Sequence, residues 1–151
     1  MIRPIPDETA DIARLLGVGV FAGEGEAERL PSRPGTYGLL LRLLEPVHLD
    51  LAPLGSPVFA PGLYLYCGSA NGPGGIRARL GRHLRRDKAV RWHIDYLSGM
   101  AAEIAGLVVP DETECSLRQK AASVLKAQAP VPGFGSSDCR ICPTHLMLLA
   151  T

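Results

Sequence analysis

Runs of apolar residues along the chain predict three main strands. Residues 37–43 and 63–67 are almost continuous in apolar and aromatic side chains, with a glycine shortly before each run. Residues 104–109 form a third run, which Pro110 ends. Alternation over residues 47–51 predicts one short additional strand, and the tail over residues 139–149 ends in another apolar run. With 17 glycines and 13 prolines between these elements, the pattern predicts a loop-rich α+β fold.

Four segments show the spacing of helices. Residues 7–21 predict a short amphipathic helix, and residues 114–128 predict another with Thr113 as its N-cap. Residues 76–86 place Ile76, Leu80 and Leu84 on one stripe, which should face the sheet. Residues 91–97 predict a further short helix.

The length of 151 residues fits one domain. A composition of 46% hydrophobic and 21% charged residues is that of ordinary globular proteins, so disorder and coiled coil are poor explanations. Glycines and prolines between residues 23 and 34 separate the first helix from the rest of the chain. We therefore expect an N-terminal extension over residues 1–34, packed on a main domain over residues 35–151.

The sequence predicts neither a membrane span nor a secretory signal. Its apolar runs are far too short to cross a bilayer, and residues 1–8 lack the basic and apolar regions of a signal peptide. The four cysteines at positions 67, 115, 139 and 142 need not form a disulfide framework. A reducing cytoplasm is therefore the expected location.

The net charge of +1 conceals an uneven distribution. Residues 1–34 carry six acids against four arginines, whereas residues 76–91 carry seven cations against the single acid Asp87. Those seven are Arg77, Arg79, Arg82, Arg85, Arg86, Lys88 and Arg91. Because this basic segment lacks the interleaved acids of a merely solvated helix, it favours contact with a nucleic-acid phosphate backbone.

Two tyrosines are the first candidates for chemistry. If the strands at 37–43 and 63–67 pair antiparallel, the start of the first lies beside the end of the second. Tyr37 and Tyr66 would then be neighbours across the ladder, at one edge of the sheet. Packing alone could account for such a pair, so their role depends on the polar residues around them.

Arg79, His83 and Glu114 are the polar residues expected near that edge. Arg79 and His83 share a helix face that adjoins the apolar stripe, so both should lie at the rim between buried and exposed surface. An arginine there can bind a phosphate, and a histidine can transfer a proton. Glu114 begins the last helix on its inward side, where it either complements the helix dipole or ligates Mg²⁺.

These motifs together resemble the GIY-YIG nuclease superfamily. The chain has G-T-Y at 35–37 and Y-C-G at 66–68 as the two tripeptides, then R-L-G-R-H at 79–83 and the late Glu114. The middle residue of each tripeptide is substituted, but it points to the strand face opposite the tyrosine. W-H-I-D-Y-L at 92–97 and G-F-G-S-S-D-C at 133–139 resemble an uncharacterised branch of the superfamily. The resemblance extends over about residues 35–147.

The resemblance implies a fold and a reaction. The fold is a small α/β sandwich with a three-stranded or slightly larger antiparallel sheet flanked by helices. The reaction is hydrolysis of DNA phosphodiester bonds by an endonuclease that uses one Mg²⁺ or Mn²⁺ ion. Cleavage selective for DNA structure, or targeting by a protein partner, is expected because the chain shows no separate DNA-reading motif.

The resemblance also implies roles for residues of this chain. Tyr37 is the general base, with neighbouring cations that lower its pKa, and Tyr66 holds the attacking water or the phosphate. Arg79 stabilises the transition state, and Glu114 ligates the metal ion. His83, like Arg79 and the metal ion, is a cation expected to favour the Tyr37 phenolate. A further candidate is His93, which matches a second histidine near the site in some members. The remaining cations of the basic segment are the candidates for DNA contact.

Two alternatives remain open. The first is a non-catalytic nucleic-acid-binding module with a vestigial site, in which the basic segment binds the partner. The second is a small interaction domain stabilised by zinc, since C-x-x-C-x-x-H at 139–145 and Cys115 could supply four ligands. A single such motif is more often two buried thiols and a histidine, so zinc is not expected. The glycines over residues 68–75 lack a following Gly-Lys-Ser/Thr and are interpreted as turn residues.

Overall fold

The computed structural model describes residues 4–51, 54–109, 111–131, 134 and 144–149. The strands within these ranges are β1 (Val20–Gly23), β2 (Gly35–Leu43), β3 (Val47–His48), β4 (Val58–Phe59), β5 (Gly62–Ala70), β6 (Glu103–Val109) and β7 (Leu146–Leu148). The helices are α1 (Ile5–Leu16), α2 (Gly75–His83), α3 (His93–Met100) and α4 (Glu114–Val124). Across the described ranges, no helix is long and apolar enough to cross a membrane.

Five strands form the main sheet, in the order β1-β6-β2-β5-β7. All neighbouring pairs are antiparallel, and β2 pairs along its whole length with β5. β3 and β4 form a separate two-stranded ribbon. The α+β class and the antiparallel sheet are therefore confirmed, and the sheet is larger than three strands.

Helices cover both faces of the sheet. α2 and α3 pack on one face, where Ile76, Leu80 and Leu84 are buried as the apolar stripe predicts. α1 and α4 pack on the other face, where α4 contributes the buried Leu117 and Ala121. The central strands are thus buried on both sides, which explains their nearly continuous apolar sequence.

The N-terminal segment supplies a strand to the main sheet. The helix predicted over residues 7–21 ends at Leu16, because Gly17 takes a left-handed conformation with φ 71° and caps it. The chain then enters β1, which pairs with β6 at the sheet edge. Val20, which the helical pattern included, therefore lies in a strand.

The other three predicted helices are present, but their ends differ from the predicted ends. α2 and α4 are shorter than predicted, and α3 begins and ends slightly later. Thr113 caps α4 as predicted, since its hydroxyl accepts a hydrogen bond from the backbone N–H of Ser116. α3 packs through the buried Ile94 and Leu97, whereas Trp92, just before it, remains partly exposed.

Candidate active site

Tyr37 and Tyr66 lie on the same face of the sheet, but they are not directly opposite each other. The register pairs Tyr37 with Gly68 and Tyr66 with Leu39. The two tyrosines are therefore neighbours across the ladder, as expected, but they are diagonal neighbours, two residues away from direct register. The reason is that β5 continues to Ala70 instead of ending at residue 67.

Gly68 makes room for the ring of Tyr37. A Cβ atom at Gly68 would lie only 2.5 Å from Cζ and Oη of Tyr37. Because Gly68 has no side chain, the phenol of Tyr37 can cross directly over β5. Gly68 is the glycine of the Y-C-G tripeptide, so its place in the motif has a steric cause.

His83 is the direct partner of Tyr37. Tyr37 Oη and His83 Nε2 are 2.8 Å apart, and both side chains are buried. The ring of Tyr66 packs against the same imidazole, with centroids 6.3 Å apart. His83 was expected at a partly exposed rim, which is wrong: its side chain is only 1% exposed. The ring of Trp92, 5.9 Å from the imidazole, contributes to this burial.

His83 is neutral at neutral pH. Burial lowers its pKa to about 4, and the attraction of the Asp95 carboxylate offsets only part of that effect. With the ring proton on Nδ1, where it faces the Asp95 carboxylate, Nε2 accepts the hydrogen bond of the Tyr37 hydroxyl. Nδ1 faces Asp95 Oδ1 at 3.9 Å and makes no hydrogen bond within the described residues. His83 is therefore arranged to accept a hydrogen bond from the Tyr37 hydroxyl.

Asp95 is a buried carboxylate behind His83 that sequence reasoning missed. Its oxygens accept hydrogen bonds from Arg82 at 3.0 and 2.9 Å, and Oδ2 also accepts from the backbone N–H groups of Arg91 and Trp92. Burial opposes ionisation, but these donors hold the pKa of Asp95 below its usual value. An acid in the first turn of a predicted helix is an ordinary capping residue. Nothing in the spacing along the chain places Asp95 beside His83.

Burial raises the pKa of both tyrosines. The pKa of Tyr66 is about 12, raised by desolvation and then by the negative charge of Glu114. The pKa of Tyr37 is raised further, again chiefly by desolvation, while Arg79 acts in the opposite direction. Arg79 therefore acts on the pKa of Tyr37 in the expected direction, but the net shift is upward. Desolvation outweighs Arg79, and the neutral His83 supplies no charge.

Arg79 lies half-buried on α2 between the tyrosines and the protein surface. Its positive charge acts on both Tyr37 and Tyr66. Its guanidinium group stacks over the ring of Trp92, 4.7 Å from the centroid, and Arg82 lies 4.6 Å from the same ring. Arg79 therefore lies between the tyrosines and a surface formed by Trp92 and Arg82.

Glu114 joins the site from α4, which covers the opposite face of the sheet. Its Oε1 accepts a hydrogen bond from Ser69 Oγ at 2.5 Å, and its Oε2 lies 3.1 Å from His145 Nδ1. Its charge contributes to the raised pKa of both Tyr37 and Tyr66. Ser69 and His145 thus hold the carboxylate in one orientation.

His145 is a second residue near the site, for which the sequence left two interpretations open, a zinc ligand or a histidine that hydrogen-bonds near the site. It is buried, and its backbone carbonyl accepts a hydrogen bond from the N–H of Cys67. Its Nε2 lies 4.0 Å from Sγ of Cys115. Cys67 is a buried free thiol and Cys115 is disulfide-bonded, a difference from the expectation of reduced thiols. The zinc alternative depends on Cys139 and Cys142, which lie outside the described residues.

The donor groups at Glu114 fit a metal ion held mainly by water and substrate. Carboxylate oxygens are ligands that Mg²⁺ and Mn²⁺ prefer, and Mg²⁺ typically takes only one or two of them. The side chain is 28% exposed, so other ligands have access to it. In the part of the chain that the structure describes, no group of three or more His, Cys, Asp or Glu could enclose an ion.

His93 lies beside this site. Its ring packs against Phe134, with centroids 5.9 Å apart, and Phe134 in turn packs against Tyr66 at 6.5 Å. Within the described contacts, His93 is therefore linked to the tyrosines through Phe134.

Apart from Arg79, the cations of the basic segment divide into two groups. Four of its cations donate hydrogen bonds to the protein itself, namely Arg77, Arg82, Arg86 and Lys88. Arg86, for example, pairs with Glu24 at 2.5 Å and also donates to backbone carbonyls at the end of α3. By contrast, the side chains of Arg85 and Arg91 form no ion pair or hydrogen bond within the described residues. These two cations face outward and are available to a ligand.

The glycine-rich turn before α2 is a structural turn. The first N–H groups of α2 are occupied, since Ile76 and Arg77 donate to the backbone carbonyls of Arg33 and Pro31. A Cβ atom at Gly75, which has φ 58°, would lie 2.3 Å from the Arg33 carbonyl oxygen. The helix therefore begins tightly against the preceding segment and offers no free N–H groups to a phosphate.

Comparison with known proteins gives a family. The model of the family described as Domain of unknown function DUF123 matches residues 36–151, which include all five candidate catalytic residues. No curated protein matches the chain, and no solved structure matches it. Because the family model covers more than half of the sequence, the chain belongs to the family described as Domain of unknown function DUF123.

Proposed function

We propose that this protein is a metal-dependent endonuclease of the GIY-YIG type that hydrolyses DNA phosphodiester bonds. One observation supports the proposal most: Tyr37 and Tyr66, from two strands, both pack on His83, and the charges of Arg79 and Glu114 reach both tyrosines. A phenol, an imidazole, a guanidinium and a carboxylate together supply the groups that phosphodiester hydrolysis needs.

Tyr37 is the proposed general base. His83 Nε2, at hydrogen-bond distance from Tyr37 Oη, orients the phenol, but with a pKa of about 4 the imidazole is too weak a base to hold the phenol proton. The positive charges of Arg79 and of a bound metal ion would favour the phenolate, and the phenol proton would pass to solvent. The phenolate oxygen then accepts a proton from the water as that water attacks phosphorus.

The other residues act on the phosphate. Arg79 stabilises the negative charge that develops in the transition state. Tyr66, with a pKa of about 12, stays protonated and donates a hydrogen bond to the water or to a phosphate oxygen. Glu114 would hold Mg²⁺ or Mn²⁺, with Ser69 and His145 fixing its carboxylate. When bound, the ion would polarise the scissile phosphate and stabilise the leaving oxygen.

A cleavage assay at low salt tests this proposal. Labelled duplex, single-stranded, flap and four-way-junction DNA are each incubated with Mg²⁺, Mn²⁺ or EDTA. We expect metal-dependent products that Glu114→Gln does not form. The matched control is Glu112→Gln, which removes an equal charge from a carboxylate paired with Lys120, and it should keep cutting. Undiminished cutting by Glu114→Gln, or no metal-dependent product on any substrate, would contradict the proposal.

A nucleic-acid-binding module without catalysis is the second candidate. The observation that favours it is the burial of Tyr37, whose side chain is only 2% exposed. Such a module should bind DNA with a steep dependence on salt and leave every substrate intact. Binding in the same assay, without products in any metal, would favour this alternative.

A further inference from the structure

A basic cavity of about 200 Å³ opens beside the candidate active site. Arg79, Arg82, Arg91 and Trp92 line it, together with small residues of the turn before α2. Arg82 is neutralised by Asp95, whereas Arg79 and Arg91 have no carboxylate partner within the described residues. The cavity therefore carries an excess of positive charge. The arginine side chains supply this charge, because the N–H groups at the start of α2 are already hydrogen-bonded to backbone carbonyls.

Trp92 adds an aromatic surface to this cavity. Its side chain is partly exposed, and it lies under the guanidinium groups of Arg79 and Arg82. An aromatic ring next to cations is the combination that proteins use to bind single-stranded nucleic acid. The ring stacks on a base, and the cations contact the backbone phosphates.

We propose that this cavity binds one unpaired nucleotide of the substrate strand, next to the phosphate that is cleaved. Trp92 lines the cavity and packs 5.9 Å from the His83 ring, which contacts Tyr37 at 2.8 Å, so the cavity adjoins the site where the scissile phosphate would lie. A cavity of about 200 Å³ is far too small for a duplex. A base inside a duplex is covered on both faces by its neighbours, so only an unpaired base can stack on Trp92. The position next to the cleaved phosphate rests on the proposed nuclease function, whereas the binding of an unpaired nucleotide does not.

The chain contains a single tryptophan, so its fluorescence reports on this cavity alone. Intact protein is titrated in EDTA with tetrathymidylate, with an abasic tetramer of equal charge, with a short duplex and with inorganic phosphate. We expect saturable quenching by tetrathymidylate and about tenfold weaker binding of the abasic tetramer, since stacking on an aromatic ring contributes about one order of magnitude or more. Tetrauridylate is titrated in parallel to compare RNA with DNA. Stronger quenching by tetrauridylate than by tetrathymidylate would support the subsite and assign RNA as its ligand.

Matched charge variants test the position of the subsite. Arg91→Ala should weaken tetrathymidylate binding severalfold. Arg85→Ala removes the same charge from a second outward-facing cation that lines a different cavity on α2, and it should change binding less than twofold. In Trp92→Phe, labelled tetrathymidylate should bind nearly as well as in the unaltered protein, because an aromatic ring remains, while Trp92→Ala should bind weakly.

Three results would overturn the inference. They are equal affinity for the abasic tetramer, equal quenching by the duplex, and equal losses in Arg91→Ala and Arg85→Ala. The outcome is separable from that of the nuclease proposal. Saturable quenching without cleavage of any substrate would keep the subsite and contradict the catalytic role, whereas cleavage without quenching would contradict the subsite alone.

Discussion

The ring of Tyr37 occupies the space above Gly68 that a Cβ atom would fill, and the two residues are register partners on β2 and β5. This contact connects the two tripeptides of the sequence. The glycine that ends Y-C-G makes room for the tyrosine that ends G-T-Y. With that room, the phenol reaches His83 on α2 at 2.8 Å.

Replacing Gly68 with alanine should therefore disturb both stability and the site. The added methyl group would collide with the Tyr37 ring, so we expect a loss of about 1–3 kcal/mol in the free energy of unfolding. Urea unfolding measures this change. The control is Gly99→Ala in α3, where a Cβ atom meets nothing within 4 Å and stability should stay the same or rise by about 0.5–1 kcal/mol. Equal effects of the two substitutions would contradict this steric account.

Stability should fall as the pH drops from about 6.5 to about 4, in part because of His83. The folded protein keeps this histidine neutral down to a pKa of about 4, whereas the unfolded chain protonates it near the ordinary value of 6.5. The unfolded state therefore binds more protons in this window, which lowers the free energy of unfolding by an amount on the order of 3 kcal/mol. Urea unfolding at several pH values should show a flatter dependence in His83→Asn.

His93→Asn is the control for this pH dependence. His93 is only partly buried, so its substitution should leave the slope of stability against pH unchanged. The same slope in His83→Asn and in the unaltered protein would show that His83 is not held neutral by the fold.

Two arginines of the basic segment should differ in their effect on stability. Arg86→Ala removes donors from the backbone carbonyls of Ser98 and Ala101 and from Glu24, so a loss of about 1–3 kcal/mol is expected. Arg85→Ala should stay within about 0.5 kcal/mol, because its side chain is exposed. Thermal unfolding compares them. An equal loss in both variants would argue against the division of the basic segment into structural and outward-facing cations.

Ser69 should affect metal affinity through Glu114. Its hydroxyl donates to the carboxylate at 2.5 Å, and loss of such an outer-shell partner typically weakens metal binding about 10- to 100-fold. Isothermal titration with Mn²⁺ compares Ser69→Ala with Ser116→Ala, a serine exposed on α4. We expect weaker binding only in Ser69→Ala. Unchanged Mn²⁺ affinity in that variant would show that Ser69 does not position the metal ligand.

Elements with a strong local pattern were predictable from the sequence. The stripe of Ile76, Leu80 and Leu84 required a helix with its apolar face on the sheet, and the structure confirms it. β1 was not predictable, because Val20–Gly23 is short and has no alternation of apolar and polar residues. Its extended conformation depends on hydrogen bonds to β6, a strand about 80 residues later in the chain.

The candidate site, too, was predictable from the sequence only in part. Helical spacing by itself placed Arg79 and His83 on neighbouring positions of one face, but spacing cannot determine how deeply a side chain is buried. The depth depends on Trp92 and on the sheet packed against α2, and it is this burial that makes His83 neutral and raises the pKa of Tyr37.

The sequence alone determined the main strands, the helices and the residue types available for chemistry, because these follow from local periodicity and composition. The tertiary structure decided the register that sets Tyr37 over Gly68 and the position of Asp95 behind His83. It also decided the protonation state of the site. Each of these depends on contacts between distant segments and on the exclusion of water, which no local pattern specifies.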